Sequence, residues 1–259
     1  MTTFLFGRRC LCAAILLAPS LCTAQASEDA PDKSWDGYLG VGLILSPDYA
    51  GSANTQTWLI PIANIEYKHV VYIYLNRVGV RLWKNDANTI ALGLAGEQRF
   101  GYQLNDAPGL DGVTDRRDAF EGGPVMEWEL PQLSLSLGYF ADMSSVSGGR
   151  SVRLSFYRQL LDNDIWDLGT YFDFDYSNSQ IVQYYFGVRP GTATTLFPYY
   201  QPGASLNSAW GLTGAYKLNK HHAILFGGEL SFLGHAEAQS PIVQRRTGLT
   251  GYIGFGLVY

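Results

Sequence analysis

The chain has 259 residues, of which 16% are charged and 14% aromatic, with 29 glycines and a formal net charge of −5. The acidic balance argues against a nucleic-acid partner, and the length suits one sizeable domain. Its three cysteines, Cys10, Cys12 and Cys22, all lie near the amino terminus, which excludes a disulfide scaffold or a cysteine-ligated zinc site in the rest.

Arg8 and Arg9 precede an apolar run over residues 11–21, and Ala24-Gln25-Ala26 follows as an A-x-A cleavage site. The pattern predicts a secretory signal over residues 1–26, removed so that the mature chain starts at Ser27. The run is too short for a spanning helix. Leu21 stands before Cys22, where lipidation would want a small residue. No uninterrupted apolar run follows, and the mean hydropathy of the chain is near zero. A membrane barrel produces this signature, because its strands hide their hydrophobicity in alternation. Seventeen tyrosines suit aromatic girdles at the two membrane surfaces.

Residues 27–34 form a polar lead. The first strand, over 35–45, sets Trp35, Leu39, Val41 and Leu43 against Asp36, Tyr38, Gly40 and Gly42, the period of two that separates the faces of a strand. Pro47, Asp48, Gly51 and Ser52 mark a loop, with Pro fixing φ and Asp able to cap the following amides. A second strand over 57–67 contains Pro61, which suggests an edge or a bulge. Lys68-His69 turns the chain into two short strands separated by Asn76-Arg77. Residues 89–99 alternate again, and residues 101–119 are a long polar loop. Strands over 120–130 and 132–141 meet at Pro131. Further strands cover 150–160, 165–175, 208–218, 222–232 and 247–259. Residues 176–207 are one long excursion, with a strand-like stretch over 184–188.

Periplasmic termini and an even strand number require short turns on one side of the membrane and long loops on the other. That parity predicts an all-β, antiparallel transmembrane barrel of about twelve strands, with ten or fourteen as alternatives, forming one domain over 27–259. At its end Ile253, Phe255, Leu257 and Tyr259 alternate with small residues. Phe255, Leu257 and Tyr259 are expected to close the barrel against lipid and to present its terminus to the barrel assembly machinery.

Four stretches together resemble the MipA/OmpV family of outer-membrane proteins. They are Pro47-Asp48-Tyr49-Ala50-Gly51-Ser52, Tyr185-Phe186-Gly187-Val188, Ser240-Pro241-Ile242-Val243 and the aromatic terminus. After Val188 this chain carries Thr194-Thr195-Leu196-Phe197-Pro198-Tyr199-Tyr200, where the family pattern has small residues. The resemblance implies a barrel in the Gram-negative outer membrane. It further implies a scaffold between a murein hydrolase and a murein synthase, or, as in other members, a porin or an adhesin.

Catalytic chemistry finds little support. The four histidines, His69, His221, His222 and His235, fall in turns and loops, Ser144–Ser147 lacks a G-x-S-x-G frame, and no H-E-x-x-H motif offers a zinc site. No cofactor, metal or catalytic residue is expected. Alternation aims Glu127, Glu129, Asp167, Asp173 and Asp175, with Arg153, into the lumen. Such charges either neutralise one another or, in an open pore, favour cations. A non-enzymatic scaffold and a narrow cation-preferring channel are therefore the two readings.

Overall fold

The computed structural model describes residues 34–103, 110 and 114–259, so the expected signal over 1–26 lies outside the described residues. Twelve antiparallel strands close into a barrel in which each strand pairs with its sequence neighbours and the last pairs with the first. In order they are β1 (Trp35–Pro47), β2 (Thr55–Tyr67), β3 (Val71–Tyr74), β4 (Arg77–Lys84), β5 (Ile90–Arg99) and β6 (Ala119–Leu130), then β7 (Leu133–Asp142), β8 (Arg150–Asp162), β9 (Trp166–Ser177), β10 (Ser205–Lys217), β11 (His222–Phe232) and β12 (Thr247–Val258). No helix among the described residues is long and apolar enough to cross a membrane. Closure pairs each strand with its neighbours and leaves no free edge strand, the condition for crossing lipid.

The alternation sorts the faces as expected. Leu39, Val41, Leu43, Leu92, Phe172, Phe174, Leu212, Ile253 and Phe255 are exposed on the outside, a belt suited to hydrocarbon. At the strand ends beside the short turns, Trp35 packs on Tyr67 with ring centroids 4.8 Å apart, and Trp166 packs on Tyr216 at 4.7 Å. With Trp83 and Trp128, both exposed, they form an aromatic girdle at the periplasmic interface.

Closure runs through the terminal strand. Val41 sits opposite Phe255 and Leu39 opposite Leu257, and the Tyr259 amide donates to the Gly37 carbonyl at 3.0 Å. Glycines at 40 and 42 of β1 meet Gly256 and Gly254 of β12, where a Cβ would run into the facing backbone.

Two details depart from the sequence expectation. The β3–β4 turn is Leu75-Asn76, and Arg77 already belongs to β4, facing Glu97. The stretch over 184–188, read as strand-like, is instead mostly the end of a helix, α1 (Ser179–Phe186). Its buried residues are Ile181, Val182, Tyr185 and Phe186, a helical spacing that outweighs the short apolar run at its end. Asn178 caps it, its side chain accepting from the Ile181 amide at 3.3 Å.

β3 is the shortest element of the wall. It pairs with β2 only from Tyr67/Val71 to Asn64/Tyr74. The Leu75 amide then bonds the Ala63 carbonyl at 2.7 Å. Above that point β2 continues to Thr55 with no strand partner on this side among the described residues.

Candidate functional site

The chemistry of the barrel lies in its lumen and in the folded loops over its outer mouth. In the upper lumen, Arg77, Arg99 and Arg153 meet Glu97, Glu121 and Asp175. Arg77 bonds Glu97 at 2.9 Å, and Arg153 bridges Glu97 at 2.5 Å and Asp175 at 2.6 Å. Arg99 holds Glu121 at 2.6 Å and reaches Asp175 at 3.3 Å. Ser151 adds a hydroxyl to Glu121 at 3.3 Å. Three guanidiniums thus face three carboxylates. Glu121 and Glu97 are almost fully buried, a position tolerable for a charge only when it is paired and hydrogen-bonded.

A second group sits nearer the periplasm. Arg81 bonds Glu127 at 2.5 Å and Glu66 at 3.1 Å, and its guanidinium lies 4.7 Å from the centre of the Tyr72 ring. Tyr74 donates to Glu66. Elsewhere tyrosines serve the carboxylates: Tyr38 donates to Asp167 at 2.9 Å and Tyr171 to Glu229 at 2.9 Å. Tyr171 also lies flat across Gly211, where a Cβ would overlap its ring. Between these groups remains a void of about 40 Å³ lined by Tyr38, Tyr157, Asp167, Thr213 and Tyr252, room for only a few waters.

The structure therefore places Glu127, Glu129, Asp167, Asp173, Asp175 and Arg153 on inward-facing strand positions. It joins Arg153 to Asp175 and Glu127 to Arg81, while Glu129 accepts from Ser134 at 2.5 Å near the periplasmic end. Sequence reasoning missed Glu66, Arg77 and Glu121. Glu121 lies inside the strand expected over 120–130 and shares the parity of Glu127 and Glu129, so alternation alone could have found it.

The outer mouth is covered by a cap that gathers the loop motifs. Tyr49, from the first loop, is buried with Tyr102, Leu110, Val188, Phe197 and Ile242. Its hydroxyl donates to the Ile242 carbonyl at 2.8 Å, and burial pushes that phenol up to about 12. Ser240 donates to the Phe186 carbonyl at 2.5 Å. The Gly51 carbonyl accepts from the amides of Gln244 and Arg245. Gly51 has φ +100 and would carry a Cβ only 2.8 Å from Val243, so glycine is required there by conformation and by space. Arg116 reaches across to the Gly187 carbonyl at 2.9 Å. Three motifs far apart in sequence thus build one small hydrophobic core above the barrel. Pro47 ends β1 and Asp48 opens the turn, its amide donating to the Asn54 carbonyl at 3.2 Å. Ser52 caps the Asn54 amide at 3.0 Å, and Pro241 sits between the Ser240 and Ile242 anchors.

A short helix, α2 (His235–Ala238), lies in the last outer loop and buries Glu237. Oε2 of Glu237 has no hydrogen-bond partner among the described residues. Burial raises its carboxyl to about 7, against the weaker pull of Asn207 and Arg99.

The histidines stay apart from one another's chemistry. His69 contacts Glu66 at 2.9 Å, His222 stacks on Phe255 at 5.5 Å, and His235 begins α2. The serines of 144–147 wrap Asp142, whose carboxylate accepts from the amides of Ser144, Val146, Ser147 and Gly148. Among the described residues no group of three or more His, Cys, Asp or Glu side chains could hold a metal.

The model of one protein family, described as MltA-interacting protein MipA, matches residues 39–259. No curated protein matches the chain. Solved structures similar to it include outer membrane phospholipase A from Escherichia coli, at 12% identity and TM-score 0.36, covering 89% of this chain and 94% of that one. Outer membrane phospholipase from Salmonella typhi, a dimer with bound calcium, is similar at 10% identity and TM-score 0.35, over 89% and 94% of the two chains. The outer membrane protease OmpT from Escherichia coli follows at 10% identity and TM-score 0.27, over 87% and 95%.

Proposed function

Because the chain belongs to the MipA family of the Gram-negative outer membrane, we propose that it is a non-enzymatic scaffold whose barrel anchors interaction surfaces rather than conducting solutes. The family is that of an MltA-interacting protein, and a murein hydrolase or synthase is the partner class this suggests. The mature chain would begin at Ser27 and be delivered through the terminal strand, Phe255, Leu257 and Tyr259 serving as its signal to the assembly machinery.

The observation that carries this reading is the occupation of the lumen. Ion pairs cross it from β5 to β9 through Arg99 and Asp175, and the cap core seals the outer loops to one another. In the upper layer Arg77, Arg99 and Arg153 are occupied by Glu97, Glu121 and Asp175, so these charges hold one another rather than a passing ion. Planar-bilayer recording of the folded protein tests it. The expected result is no steady conductance, together with retention of a murein hydrolase or synthase on the immobilised protein. A stable, cation-selective conductance at low voltage would reject the scaffold in favour of a porin.

A further inference from the structure

At the periplasmic rim the wall has a step. The last backbone bond between β4 and the β2–β3 turn is from the Arg81 amide to the Val70 carbonyl, at 2.8 Å. β4 then runs on to Lys84, with its pairing to β5 shifted between Arg81 and Trp83. The turn stops short and the β4–β5 hairpin projects past it. The recess between them is a groove of about 640 Å³, lined by Lys68, His69, Val70, Arg81, Trp83 and Lys84 among others.

Its lining has two chemistries. Val70, Leu82 and Trp83 are apolar and exposed, Trp83 at 52%, and they continue the lipid-facing belt. Lys68 and Lys84 supply positive charge. Arg81 is already held by Glu66 and Glu127, and His69 by Glu66. Neither lysine forms an ion pair among the described residues; Lys68 only overhangs the Tyr67 ring, 5.7 Å from its centre. Two uncompensated ammoniums therefore flank an apolar wall at the depth of the aromatic girdle, where lysine stems lie along apolar surface and their heads meet the interface.

We propose that this groove binds an anionic glycerophospholipid of the periplasmic leaflet. Its phosphate would lie between Lys68 and Lys84, and an acyl chain along Leu82 and Trp83. A zwitterionic headgroup would bring its own ammonium towards the lysines and lose most of the attraction. Free phosphate would satisfy the lysines but gain nothing from Trp83.

The test uses the folded protein in neutral detergent micelles, titrated with phosphatidylglycerol or phosphatidylethanolamine of the same chain length and read by native mass spectrometry. With two lysines near the headgroup, retention of phosphatidylglycerol should exceed that of phosphatidylethanolamine about tenfold. K68Q/K84Q should abolish the preference, and W83A should weaken retention of both lipids. K220Q, in the β10–β11 turn, should leave the preference intact. Heat-modifiable mobility on gels identifies the variants that are folded. Equal retention of the two lipids, or a preference that survives K68Q/K84Q in folded protein, overturns the proposal. Displacement of phosphatidylglycerol by millimolar inorganic phosphate, with W83A silent, reduces the groove to a simple anion site and overturns the lipid assignment.

Discussion

Arg153 ties two distant parts of the lumen together, because it joins Glu97 on β5 to Asp175 on β9. Removing one member of a buried charge network leaves the others desolvated and unpaired. Arg153→Met should therefore cost about 3–5 kcal/mol in urea unfolding followed by tryptophan fluorescence, and adding Glu97→Gln should recover part of the loss. Glu237 sets a different condition. Its carboxyl is raised from 4.5 to about 7 by burial, with Arg99 and Asp175 the charged groups facing it from β5 and β9. The folded cap then holds a proton that the opened cap releases, so cap stability is full below about pH 4.5 and declines towards pH 7. Amide exchange in α2 should accelerate over that window, and Glu237→Gln should flatten the profile. A wild-type rate that slows as pH rises, after correction for intrinsic exchange, would contradict the sign.

The outer cap is an element built from hydrogen bonds between loops, and it should loosen without taking the barrel with it. Tyr49→Phe and Ser240→Ala each leave a buried carbonyl unpaired, at a cost of about 1–3 kcal/mol. The expected readout is faster proteolysis within residues 178–204 while the heat-modifiable barrel persists. The strands were legible because alternation is written in consecutive residues: Leu133, Leu135, Leu137 and Tyr139 against Ser134, Ser136 and Gly138 needs no partner to be read. α1 was not legible, since the surface that buries Ile181 and Tyr185 comes from loops elsewhere in the chain. The ion pairs were hidden for a related reason. Arg153 faces Asp175 and Arg77 faces Glu97 only once register is fixed, and the contact from Arg99 to Asp175 depends on how the sheet curls. The loop motifs showed their turn chemistry in sequence, through Pro47, Asp48 and Gly51, but gave no sign that they converge on one core.

For the whole molecule, the outward belt defines the solvent and the last strand defines closure. Leu212 is exposed in the middle of β10, so Leu212→Arg should cost about 2–4 kcal/mol when folding into bilayers is measured by denaturant titration. Phe255 faces Val41 across the closing seam and His222 on its other side. Phe255→Asp, or removal of Tyr259 with its bond to Gly37, should leave a protease-sensitive periplasmic chain. Normal yield of a heat-modifiable species from either variant would show that the terminus is dispensable for assembly.

The short third strand has a consequence for the membrane itself. Four residues at about 3.3 Å each make a wall of only about 13 Å along the strand, roughly half the apolar band of about 25 Å that a barrel of this kind presents. Lipid beside β3 has only this short strand to match, so its chains there should shorten or tilt. The bilayer should be dimpled on that side of the barrel and of ordinary thickness on the other, with the strain shared among its neighbours. Such a dent is a force field with a direction. Two barrels that bring their thin sides together remove part of the deformed rim, and attract one another through the lipid without touching.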